Sequence, residues 1–163
     1  MKIVRILFMV LGLLFVAFGS LDAVAQEETP FTGPRVGKMV WDIALGNTPL
    51  EFNQNLEIIR DTYRDLISEN IKPDMILLFR GHSVRWLLRR SQQVWSQEAL
   101  NELIAKLQKF RRQPGVQFVA DLPASKEIKL TAKDLLPGVK VVKNAYIALM
   151  RYNVEGYTMF SSN

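Results

Sequence analysis

The sequence contains no cysteine and only one histidine, His82, among its 163 residues. Without cysteine the chain cannot form a disulfide, a thiolate nucleophile, a persulfide or an iron–sulfur cluster. A single histidine also argues against a histidine-rich zinc site, because structural zinc usually takes four histidine or cysteine ligands. The composition therefore excludes thiol chemistry, and we predict no metal site and no cofactor.

Several sequence motifs are absent as well. No Gly-x-Gly-x-x-Gly follows the first predicted strand, and there is no Gly-Lys-Ser/Thr loop, so nucleotide binding lacks its usual backbone cradle. The Gly-x-Ser-x-Gly turn of many hydrolases is also missing. No nucleic-acid-binding motif occurs, and we expect no nucleic-acid partner.

The N-terminal 25 residues have the three parts of a secretory signal peptide. Lys2 and Arg5 form a positively charged start, residues 6–18 form an uncharged apolar run, and the triplet Ala23-Val24-Ala25 supplies small side chains for cleavage. An uncleaved membrane anchor is the alternative, but the apolar run is short for a membrane span. We expect residues 1–25 to be removed, which leaves no stable membrane span and predicts a periplasmic or secreted protein.

The remaining chain is long enough for a single domain. Residues 26–37 contain prolines and glycines without periodicity and are predicted to form an N-terminal arm, and residues 38–163 form the domain. Apolar runs predict strands at 38–44, 75–79, 116–120, 139–142 and 157–160. Stripes of helical period predict helices at 52–66, 97–112 and 145–153, with a short helix at 84–90. The last predicted helix, at 145–153, is also short and carries Ile147, Leu149 and Met150 as its apolar residues.

Alternating strands and helices predict a particular fold class. Strands that are separated by helices pair in parallel through right-handed crossovers. We therefore expect an α/β protein, a three-layer α/β/α domain with a mainly parallel sheet of about five strands.

Polar residues follow the predicted strands where a ligand site would lie. In an open parallel sheet, ligands bind outside the carboxyl ends of the strands. The candidate ligand-binding residues at these ends are Asn47, Arg80, His82, Asp121 and Asn144. Arg80 and His82 are suited to holding a small anionic ligand, and Asp121 to orienting or deprotonating a neighbouring group. The alternative is that these residues are ordinary caps and solvated charges.

Positive charge is concentrated between Arg80 and Arg112, where eight basic residues accompany two acidic ones. A solvated basic face is the preferred interpretation, and an acidic partner or membrane surface is the alternative. Trp86 and Trp95 lie among apolar neighbours and are expected to pack in the core.

The chain resembles the DsrE/DsrF-like family of sulfur-relay proteins. The stretches that carry the resemblance are 40–43, 72–81, 115–120 and 135–142 continuing to Gly156-Tyr157. It implies a doubly wound parallel sheet and assembly into homo-oligomers or oligomers with related DsrE-like subunits. Sulfur-carrying members place a cysteine just after the third strand, and alignment puts Asp121 at that position. A carboxylate cannot carry a persulfide, so the resemblance implies the fold and the location of the site without the relay chemistry.

Three functions remain open. The first is a secreted non-catalytic DsrE-like protein that binds a small ligand or a protein partner at the strand ends, in a sulfur-related pathway and without persulfide transfer. The second is a structural or interaction subunit of a homo- or hetero-oligomer. The third is an enzyme that uses Asp121 and His82 as acid and base.

Overall fold

The structure is a computed structural model, and it describes residue 32 and residues 35–44, 48–89, 97–122 and 130–162. Apart from Thr32, all of these residues belong to the unit Gly33–Asn163. The predicted signal peptide and most of the predicted arm lie outside the described residues, as do Asn47 and Trp95.

The described chain contains five strands, three α-helices and two 3₁₀ helices. In chain order they are β1 (Val36–Ile43), α1 (Pro49–Ser68), β2 (Lys72–Phe79), a 3₁₀ helix (Gly81–Leu87), α2 (Gln97–Arg111), β3 (Val116–Asp121), a short 3₁₀ helix (Ala132–Asp134), β4 (Lys140–Val142), α3 (Ala145–Val154) and β5 (Thr158–Ser162). The short helix predicted at 84–90 is replaced by the 3₁₀ helix, which begins and ends three residues earlier.

The five strands form one sheet in the order β4-β3-β2-β1-β5, and every neighbouring pair is parallel. The predicted α/β fold with about five parallel strands is thus confirmed. The central strand β2 is almost entirely buried from Met75 to Phe79 because helices cover both of its faces.

Helix α1 shows how the sequence specifies an element. The side chain of Thr48 accepts the backbone N–H of Glu51, and Pro49 occupies the first turn, where its missing N–H is no loss. The helix buries Phe52, Leu56, Ile59 and Tyr63 along the predicted stripe. It is followed by Asn70, whose φ of 59° lies in the left-handed region that asparagine tolerates better than most residues.

Helices α1 and α2 and the longer 3₁₀ helix pack on the first face of the sheet. Trp86 of the 3₁₀ helix is 1% exposed and stacks on Phe52 of α1, with the two ring centroids 5.1 Å apart. The prediction that Trp86 packs in the core is confirmed. This face therefore holds the larger of the two hydrophobic clusters.

Helix α3 packs on the second face, against Val40, Ile76, Leu78 and Val119. The residues that it buries are Ala145, Ala148 and Tyr152. Of the three apolar residues predicted for this helix, Leu149 packs partly against the sheet, whereas Ile147 and Met150 are 65% and 70% exposed. Small alanines bring the helix close to the sheet and turn the larger residues outward.

The turn before β3 lies against the start of β2. Gly115 has a φ of 76°, and a Cβ at this position would overlap the carbonyl oxygen of Pro73. Its own carbonyl oxygen accepts the N–H of Met75 at 2.7 Å. Glycine is therefore required here by both conformation and space.

Within the described ranges, no helix is long and apolar enough to span a membrane.

Candidate functional site

Three of the five predicted site residues lie at the carboxyl edge of the sheet on the side of α3. Arg80 directly follows β2, Asp121 is the last residue of β3, and Asn144 precedes the first residue of α3. Side chains alternate along strands, so Asp121 shares the face of Val119, which packs against α3. His82 lies in the 3₁₀ helix, and Asn47 is outside the described residues.

Arg80 forms a two-pronged ion pair with Asp42 of β1. Its Nε lies 2.7 Å from Oδ1 and its Nη2 lies 3.0 Å from Oδ2. This hydrogen-bonded pairing is the main reason that the pKa of Arg80 is raised above its ordinary value. The two side chains are only 27% and 16% exposed, so water screens the pair less than it screens a surface ion pair.

The aromatic ring of Tyr146 covers the same guanidinium. The Cζ atom of Arg80 lies 5.3 Å from the ring centroid, and Nη1 lies 3.5 Å from the tyrosine hydroxyl. This distance is compatible with a cation–π contact. Asp42 and Tyr146 both contact Arg80. The alternative that Arg80 is a solvated surface charge is therefore wrong.

Asp121 is 8% exposed, and its carboxylate accepts the backbone N–H of Ala145. Its Oδ1 atom is buried and has no hydrogen-bond partner among the described residues. Burial raises the pKa of Asp121, while the N–H of Ala145 and the charge of Arg80 act in the opposite direction. The site therefore contains one buried acceptor that the described protein groups leave unsatisfied.

The amino end of α3 has its own hydrogen-bond donors satisfied. The Oδ1 atom of Asn144 accepts the N–H groups of Tyr146 and Ile147 at 2.9 and 3.2 Å. The N–H of Ala145 binds Asp121, and that of Ala148 binds the carbonyl of Asn144 at 3.1 Å. A helix terminus that binds anions needs free N–H groups, and these four all have acceptors.

His82 is exposed and lies in the 3₁₀ helix that follows Arg80. Its backbone carbonyl accepts the Nε–H of Arg85 at 2.8 Å, and within the described ranges no hydrogen bond or ion pair involves its imidazole. The next residue, Ser83, is fully buried, and its hydroxyl lies against the carbonyl of Ile43 and the N–H of Arg80. Ser83 thereby anchors the backbone of Arg80, a role that was not predicted from the sequence.

Arg89 and Lys106, two of the basic residues between Arg80 and Arg112, make separate local contacts. Arg89 donates to the carbonyl of Leu135 at 2.8 Å, beyond the end of the 3₁₀ helix. Lys106 lies 3.1 Å from Glu102 and 3.8 Å from Glu57. Acidic residues on α1 and α2 therefore neutralise part of the charge that the sequence concentrated here.

A cavity of about 430 Å³ lies between α1 and α2 on the other side of the molecule from α3. Its lining includes Leu50, Asn53, Glu102, Leu103 and Lys106. The amine of Lys106 already contacts Asn53 and Glu102, each at 3.1 Å. The polar groups of this cavity satisfy one another, in contrast to Asp121.

In the part of the chain that the structure describes, no three acidic or histidine side chains are grouped to hold a metal ion.

The fold and the site together define an open, fully parallel α/β protein with a polar cluster at the carboxyl edge of its sheet. Comparison with solved structures finds MTH1491 from Methanobacterium thermoautotrophicum, a protein of unknown function, with a TM-score of 0.55. The two are 18% identical, and the match covers 77% of this chain and 98% of MTH1491. This similarity supports the fold alone. No family model matches the chain, and no curated protein matches it.

Proposed function

We propose that the protein is an exported, non-catalytic DsrE-like binding protein whose ligand occupies the cluster of Asp121, Arg80 and Asn144. The observation that carries this proposal is the unsatisfied Oδ1 of Asp121. Leaving a buried acceptor without a partner costs about 1–3 kcal/mol, so such a group in a folded protein needs an explanation. A ligand that donates a hydrogen bond to Oδ1 would supply it. The absence of cysteine excludes persulfide transfer by this chain itself.

The contacts around Asp121 favour a particular ligand chemistry. Arg80 is paired with Asp42, and the donors at the start of α3 have acceptors, whereas Asp121 keeps a buried acceptor atom without a partner among the described residues. The ligand should therefore carry an N–H, O–H or S–H group that donates to Asp121. A small anion, which the sequence alone favoured, becomes the competing ligand class. A place in a sulfur-related pathway rests on the family resemblance only.

A binding experiment with defined probes tests this proposal. Thermal unfolding of the purified protein is measured with ethanolamine, 2-mercaptoethanol and thiosulfate, which represent an amine, a thiol and an anion. We expect a donor-bearing probe to raise the melting temperature by several degrees at saturation, because a ligand that binds only the folded state stabilises it.

The Asp121→Asn variant should lose this response, since its amide N–H₂ would face the donor. Asp61→Asn, a change on the exposed side of α1, is the matched control and should respond like the wild type. If thiosulfate alone stabilises the protein and Asp121→Asn keeps that response, the preference for donor ligands is wrong. If no probe shifts the unfolding temperature and native mass spectrometry detects no retained ligand, the binding proposal must be dropped.

A further inference from the structure

Helix α3 is apolar on both sides. Its inner side packs Ala145, Ala148 and Tyr152 on the sheet, and its outer side exposes four large residues. These four, which we term the α3 outer surface, are Tyr146, Ile147, Met150 and Val154, and they are 64%, 65%, 70% and 88% exposed. A contiguous exposed apolar patch of this kind commonly marks an interaction surface.

The spacing of these residues makes them one surface. Steps of four connect Tyr146 to Met150 and Met150 to Val154, and Ile147 lies three residues before Met150, so all four share one side of the helix. Met159 of β5 is 37% exposed and pairs in register with Val40, which places it on the same face of the sheet. The apolar surface therefore extends from the helix toward an edge strand.

We infer that the α3 outer surface binds a second copy of this chain. Four large side chains at these exposures form a patch of several hundred Å², which is a substantial part of the roughly 800 Å² that each partner buries in a standard interface. The surface includes no charged residue, and the neighbouring Arg151 lies 3.7 Å from Glu155 of its own chain. An uncharged apolar surface is complementary to an identical surface, as a two-fold symmetric pair requires.

This surface is continuous with the strand-end site. Tyr146 belongs to both, because its ring also covers the guanidinium of Arg80 at 5.3 Å. A second copy on α3 would remove Tyr146 from water and thereby strengthen its contact with Arg80. The second copy would thus form part of the wall of the site. This holds whichever ligand the site binds.

The test measures the mass of the purified protein in solution by light scattering and sedimentation at micromolar concentration. We expect a dimer for the wild type, and at least about 100-fold weaker association for Met150→Glu, because a charge at the centre of an apolar interface is strongly unfavourable. Ile58→Glu is the matched control: Ile58 is 56% exposed on α1, on the opposite face, and the variant should remain a dimer. Circular dichroism verifies that both variants are folded, and Ile147→Glu provides a second variant on the same surface.

Several results would overturn the inference. A wild-type monomer would do so, including one that instead floats with phosphatidylglycerol vesicles, which would assign the surface to lipid. A dimer that survives both Met150→Glu and Ile147→Glu would place the interface elsewhere. An assembly that Ile58→Glu disrupts equally would show that exposed apolar residues associate without specificity.

Discussion

The side chain of Asp121 lies where its ionised carboxylate is poorly solvated. It is buried, it accepts one backbone N–H, and its second oxygen has no partner among the described residues. The folded protein therefore holds the proton of Asp121 to a higher pH than the unfolded chain does, where the pKa is close to 3.8. Ionisation of this side chain opposes folding.

Because burial raises the pKa of Asp121, the effect of Asp121→Asn on stability should depend on pH. Above the folded pKa the wild type bears the whole cost of the ionised group, and this cost disappears as the pH falls toward 3.8. We expect the variant to be more stable than the wild type by about 1 kcal/mol at pH 7 and by much less near pH 4. Urea unfolding at both pH values measures the difference, with Asp61→Asn as the control. An equal difference at both values would contradict the prediction.

Residues of the site differ in how well the sequence predicts them. Arg80, Asp121 and Asn144 were identified because the carboxyl ends of parallel strands meet at one edge. Asp42 was missed as a site residue, although a charged residue between Trp41 and Ile43 in an otherwise apolar strand was the available signal. Tyr146 gave no such signal, because its contact with Arg80 depends on the packing of α3. The role of His82 remains a prediction.

Among the elements, α3 depends on the residue that precedes it and caps its start. Asn144 caps two N–H groups and sets the position of Ala145, which in turn binds Asp121. The helix is only ten residues long, so its stability relies on this cap and on packing against the sheet.

Loss of the cap should lower the free energy of unfolding by about 1 kcal/mol in Asn144→Ala. Asn144→Ser retains a capping oxygen and is expected to recover most of the loss. Chemical denaturation of the two variants and the wild type provides the measurement. Equal destabilisation by alanine and serine would show that the amide side chain acts in some way other than as a cap.

The sequence predicted α1 better than α3 for a physical reason. In α1 the apolar stripe and the charged side are distinct, so Phe52, Leu56 and Ile59 are identified as buried by their spacing. In α3 both sides are apolar, and the larger side chains are not the buried ones. Ala145 and Ala148 are buried, while Ile147 and Met150 are exposed. The helical spacing of apolar residues therefore does not show which of the two apolar sides of this helix is buried.

At the scale of the whole molecule, two helices and a 3₁₀ helix cover the first face of the sheet, and α3 packs on the second. Alternation of strands and helices was sufficient to predict this architecture, since crossovers between parallel strands have one common hand. The strand order could not be predicted, because apolar runs alone do not show which strands are neighbours.

Export of the protein is the prediction that concerns the whole chain. Expressed with its own N-terminus in a Gram-negative host, the protein should appear in the periplasm and begin at Gln26, because the small residues before it suit signal peptidase. Intact-mass spectrometry of the periplasmic fraction measures the cleavage. Ala25→Arg should block processing, whereas Lys38→Arg should not. Recovery of the full-length wild type from membranes would instead support an anchor.

The position of β5 has a consequence for how the chain folds. β1 pairs with β2 early in the sequence, but its other neighbour is β5, the last described strand. When the chain emerges from its N-terminus, the backbone edge of β1 therefore stays open until all other described elements have emerged. Pairing between segments so distant in sequence is slow, and an open strand edge is prone to bind other chains. We expect the newly made protein to need protection by chaperones until β5 is in place.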